Sequence, residues 1–102
     1  MKIAIPTNDG KNIFQKMLGM AKEFHIYEVI NMDIKFIEKR NNTFESTLQH
    51  LKTLDVYDLI KDCDAVISNK IGIKGIKRLE EKGMKIFFRK GEISNSLSSL
   101  KI

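Results

Sequence analysis

Apolar and polar positions change period several times along this chain of 102 residues, and each change marks an element. Lys2 to Pro6 alternates and stops at Pro6, followed by the turn-rich Thr7-Asn8-Asp9-Gly10; this predicts a strand and its exit loop. Phe24 to Ile30, rich in β-branched and aromatic residues, predicts a second strand. Asn31-Met32-Asp33 predicts a tight turn into a third strand, Ile34 to Glu38, that ends before Asn41-Asn42. Ser46-Thr47-Leu48-Gln49 has capping-box spacing and predicts a helix to about Lys61, with Leu48, Leu51, Val56, Leu59 and Ile60 along one face. Ala65-Val66-Ile67, apolar between polar ends, predicts a buried central strand. A second helix is predicted from Ile73 to Lys82, with Gly83 as its stop, and Lys85 to Phe88 is the fifth strand. Ile93, Leu97 and Leu100 mark a short last helix that four serines weaken.

The order βββαβαβα fits one α/β domain over residues 1–102, too short for two cores. The last two strands should be parallel, with a right-handed crossover. If the first strand lies beside the fourth, the sheet is mixed, in spatial order 3-2-1-4-5, with strand two antiparallel and helices on both faces. The loops Thr7–Gly10, Lys16–Lys22 and Ser68–Gly72 would then meet at one end, at the switch point where open α/β sheets bind ligands.

Composition narrows the function classes. The net charge of +5 invites a nucleic-acid reading, but the 18 basic residues are scattered and only three are arginine. Arginine reads phosphates and guanines bidentately, so nucleic acid is a disfavoured partner. No apolar run approaches the roughly 20 residues of a membrane span. The lone Cys63 and the absence of an export signal fit a reducing cytoplasm.

Two segments could hold a ligand. Met17-Leu18-Gly19-Met20 presents two thioethers, ligands for a soft metal, although methionines also serve as packing fillers. Ser68-Asn69-Lys70-Ile71-Gly72 runs from a strand into a helix N-terminus, where free amides and the helix dipole favour an anion and Lys70 adds charge. Cys63 precedes the fourth strand, away from that end, and reads as a half-buried small residue. His25 and His50 have no evident partner. The aspartates Asp55, Asp58, Asp62 and Asp64 suggest a solvated acidic face. No Walker loop, GxGxxG or CxxC is present, and the search for catalytic residues comes back empty.

Five segments in order, Met1 to Gly10, Gly19 to Val29, Asp62 to Ile67, Ile71-Gly72 and Gly83 to Ile86, resemble the dinitrogenase iron-molybdenum cofactor biosynthesis family. That family includes NifX-type proteins and the C-terminal domain of NifB-type proteins. The resemblance implies a ribonuclease-H-like three-layer fold and a non-catalytic protein that carries or chaperones an iron-sulfur or iron-molybdenum-type cluster between donor and acceptor proteins. Its site would comprise Thr7, Asn8, Met17, Gly19, Met20, Asn69, Lys70 and Gly72, with Met17 and Met20 as the metal-contacting pair. The chain departs from the family where His-Phe-Gly-His is usual and Met17-Leu18-Gly19-Met20 stands instead. The loop from Asn41 to Glu45 is short, and Ile73-Lys74 follows Gly72 where a cysteine is common. Another anionic ligand is therefore also a candidate for the pocket. A cofactor-free interaction module, dimerising through an exposed strand edge, is the alternative.

Overall fold

A computed structural model of the chain describes residues 1–42 and 53–100. Five strands, β1 (Lys2–Thr7), β2 (Glu23–Ile30), β3 (Asp33–Asn41), β4 (Ala65–Ser68) and β5 (Lys85–Phe88), form one sheet in the order β3-β2-β1-β4-β5. β1 pairs antiparallel with β2 and parallel with β4, and β4 pairs parallel with β5. The mixed sheet and its order are those expected from the element sequence.

Alternation along the strands sends two sets of side chains to opposite faces. Ala4, Phe24, Ile26 and Val66 pack on Val56 and Ile60 of α1 (Thr53–Ile60) and Leu79 of α2 (Ile73–Glu81). Ile3, Ile5 and Ile67 pack on Ile93 and Leu97 of α3 (Ile93–Ser98), and on Ile13 from the loop after β1. The helices therefore cover both faces. The predicted capping box at Ser46–Gln49, His50 and the short loop through Glu45 lie outside the described residues.

One departure has a local cause. β3 runs three residues past its predicted end because a bulge interrupts its pairing: Tyr27 faces Phe36, whereas Ile26 faces Glu38. Ile37 is the extra residue, and it breaks the period-two pattern. The acidic cluster is solvated as expected, with Asp58, Asp62 and Asp64 exposed, but two of its members also have partners. Asp62 receives both Arg40 terminal nitrogens, at 2.6 and 2.8 Å, and Asp64 accepts the Lys2 amide at 2.8 Å, fastening the β4 approach to β3 and β1.

The Arg40 hydrogen bonds hold the Asp62 carboxyl well below the ordinary carboxylate range. A depressed acid stabilises the fold above its unfolded pKa of about 3.9 and ceases to do so as pH falls through the folded value. Asp62→Asn is therefore expected to flatten the acid limb of a stability-versus-pH curve below about pH 4. Urea unfolding at stepped pH checks this, and an unchanged acid limb would remove the pair from the account of stability.

Candidate functional site

The exits of β1 and β4 and the start of β2 meet at one end, as the strand order requires. Between β1 and β2 the chain forms a 3-10 turn at Leu18–Met20, anchored by the buried Leu18. Met17 makes a parallel bridge with Lys70, and the Leu18 amide donates to the Lys70 carbonyl at 3.0 Å. Asn69 Nδ2 donates to the Gln15 carbonyl at 3.1 Å, and a Cβ built on Gly72 would lie 4.0 Å from the Met17 methyl. The methionine turn and the Asn69–Gly72 segment are thus zipped together. Met17 and Met20 remain 46% and 51% exposed, which leaves their thioethers available to a ligand.

Gly72 caps α2 with extended backbone and no side-chain hydrogen bond, and no acidic residue occupies the first turn. The first amides of that helix are open to an anion, with exposed Lys70 beside them. On the other side of the methionine turn, Met20, Asn8, Asp9, Asn12, Phe14 and Lys16 line an open groove of roughly 520 Å³.

Several of the predicted contact residues are engaged within the protein. Thr7 is fully buried; its hydroxyl donates to the Asn12 carbonyl at 2.6 Å and accepts the Gly10 amide at 3.0 Å. It shapes the loop rather than presenting an oxygen to a ligand, because burial and these bonds occupy it. Asn8 Oδ1 accepts the Lys22 amide at 2.8 Å, and the Gly19 carbonyl accepts Asn42 Nδ2 at 2.9 Å.

Three features escaped the sequence reading. Asp9 accepts the amides of Lys11 and Asn12 at 2.9 and 2.8 Å, and these bonds hold its carboxyl well below its usual range. Asn42 is buried and donates to both Gly19 and Ala21 carbonyls, pinning the methionine turn to the end of β3. His25 has a partner after all, since its Nε2 lies 2.6 Å from Glu23 Oε2. Residues two apart on a strand share a face, a signal available in the sequence.

Gly10 lies against that histidine. It has φ +75°, and an added Cβ would sit 2.8 Å from His25 Cε1. Gly83, at φ +82°, has nothing within 4 Å. Gly83→Ala should cost about 1 kcal/mol from backbone strain alone, and Gly10→Ala about 2 kcal/mol or more. Equal losses in urea unfolding would show that the approach to His25 is not tight.

Cys63 is buried behind α1, and burial pushes its thiol up to about 11, so it offers little thiolate as nucleophile or ligand. Among the described residues no group of three or more His, Cys, Asp or Glu side chains converges as a metal site. Also among them, no helix is long and apolar enough to cross a membrane.

Mixed sheet, zipped loops and exposed soft side chains define a small α/β domain with a candidate site at the strand switch point. The profile of the family described as "Dinitrogenase iron-molybdenum cofactor" matches residues 1–101, and the chain belongs to that family. In three dimensions it is similar to the crystal structure of PH0822, with a TM-score of 0.78 and 22% identity over 97% of this chain and 88% of that one. It is also similar to a Methanocaldococcus jannaschii protein provisionally assigned as a dinitrogenase, with a TM-score of 0.66 and 19% identity over 96% and 85% of the two chains. Among curated proteins, a glyceraldehyde-3-phosphate dehydrogenase from Methanothermus fervidus is 30% identical over 79 residues, 78% of this chain. The chain spans only 22% of that enzyme's length.

Proposed function

We propose that this protein is a non-catalytic accessory protein of metallocluster assembly. It receives a preassembled anionic iron-sulfur or iron-molybdenum-type cluster from a donor protein in the cytoplasm and passes it to an acceptor. The observation that carries this reading is the zipping of Met17 to Lys70. This backbone contact supports a reading in which a soft thioether, a cation and the N-terminus of α2 serve one ligand. Iron in such a cluster is already ligated by sulfide, so the cargo needs charge neutralisation and soft contact more than strong ligands. Met17 and Met20 offer their thioethers to the cluster's iron, while Lys70 and the amides after Gly72 face its negative charge. Asn8, Gly19 and Asn69 hold the loops in place, and Thr7 shapes the first of them.

The donor set also says what the protein does not do well. Thioethers hold bare metal ions weakly, so the site suits transfer rather than storage or extraction of metal. The strand order, with an antiparallel second strand, is the arrangement we assign to the ribonuclease-H-like group.

Anaerobic reconstitution, in which clusters preassembled from iron, sulfide and excess thiol are offered to the protein, tests the reading. A coloured protein with stoichiometric iron and sulfide is expected. A colourless protein with no bound iron would overturn cluster carriage.

A further inference from the structure

The outer edge of the sheet carries an independent feature. β3 has no neighbour beyond it among the described residues, and all its residues from Asp33 to Lys39 are exposed. Ile34 and Phe36 are 42% and 49% exposed on the α3 side of the sheet, outside the buried cluster that Ile93 and Leu97 of α3 form with β1 and β4. A nine-residue edge with apolar side chains is a template for another strand unless its charges forbid it. Here they specify a partner.

Residues opposite one another in a ladder share a face, so pairing with β2 assigns each side chain. Ile34, Phe36 and Lys39 lie opposite Val29, Tyr27 and His25 on the α3 side. Asp33, Lys35, Glu38 and Arg40 lie opposite Ile30, Glu28, Ile26 and Phe24 on the other. Ile30 and Asp33 flank a two-residue turn in which Asn31 and Met32 have φ of 51° and 71°, so they form a hydrogen-bonded pair. Pairs along β2 then alternate, and the backbone groups of Ile34, Phe36 and, past the bulge, Lys39 point away from the molecule.

The bulge decides what can add there. A second β3 pairing antiparallel about a two-fold axis must match faces as well as directions. Because Ile37 is extra, faces match when Ile34 opposes Lys39 of a second copy, Lys35 opposes Glu38 and Asp33 opposes Arg40. In this register the outward-pointing groups of Ile34 and Lys39 meet, and both charge pairs are opposite in sign. A two-residue slip one way sets Lys35 against Arg40; a slip the other way sets Asp33 against Glu38. Both neighbouring registers place like charges together, which disfavours them.

The geometry points to a second copy of this chain as the occupant of β3. Two molecules join edge to edge in one continuous ten-stranded sheet, with Phe36 of each near the two-fold axis and the binding ends free. This inference does not rest on the cargo proposed above.

Sedimentation equilibrium at tens of micromolar protein tests it with Lys35→Glu and Glu38→Lys. The wild type is expected at twice the chain mass of 11.8 kDa. Each variant sets like charges opposite each other twice and should weaken self-association by about tenfold or more. An equimolar mixture of the two variants restores every charge pair between unlike molecules and should form a heterodimer. Since each variant is judged also by that mixture, misfolding cannot imitate the result. A monomeric wild type, a dimer indifferent to Lys35→Glu, or a mixture that stays monomeric would overturn the proposal.

Discussion

Replacing Asn42 with alanine is expected to destabilise the protein by about 2 kcal/mol and to loosen the methionine turn at the same time. The side chain is 6% exposed and donates to two carbonyls, Gly19 at 2.9 Å and Ala21 at 2.8 Å. Removing it leaves carbonyls that water cannot readily reach, and each such group costs about 1–3 kcal/mol. Partial access of solvent to Gly19 keeps the sum towards the lower end. Asn42→Asp should be worse than alanine, because it turns a carboxylate towards two carbonyl oxygens while keeping the shape. Urea unfolding measures both, and a loss below about 0.5 kcal/mol for both would show that the turn is held by Leu18 alone.

The second large effect falls on binding rather than stability. Met17→Ala with Met20→Ala should abolish retention of iron and sulfide after anaerobic reconstitution, with little change in unfolding. Both side chains are about half exposed, so their removal opens no large cavity. Met17→Leu with Met20→Leu separates sulfur from bulk: apolar volume remains, and loss of loading would assign the effect to the thioether. Met17→His with Met20→His restores the imidazoles common at these positions in the family and should strengthen loading by about tenfold or more, since imidazole is the better ligand. Loading unaffected by all three pairs would move the cargo away from this turn.

Particular elements show which parts of this molecule were legible from residues alone. β5 lies where Lys85 to Phe88 predicts it, and α2 begins at Ile73 and stops at Gly83, whose φ of +82° explains the glycine. The strand order followed from the alternation of elements, and with it the meeting of the Met17 and Lys70 loops. Both rest on backbone rules that depend little on detailed packing.

What was missed depends on contacts between distant residues. Ile37 follows Phe36 as a second apolar residue, and alternation alone cannot tell a bulge from the end of a strand. Thr7 resembles a ligand contact in sequence, yet chain reversal at Gly10 folds the loop over it. Asn42 belongs to no periodic pattern, so only the position of Gly19 and Ala21 beside it reveals its role. Asp62 is exposed as its composition suggests, but its partner Arg40 lies 22 residues away in the chain and no local pattern joins the two.

The direct test of the binding end uses a diamagnetic probe. Tetrathiomolybdate, a soft anionic metal sulfide, can be titrated into labelled protein while backbone amides and methionine methyls are followed by NMR. Saturable shifts centred on the Met17 and Met20 methyls and on the amides from Lys70 to Gly75 are expected. Shifts scattered over the exposed lysines, or centred elsewhere on the sheet, would contradict a built site at the zipped Met17–Lys70 loops.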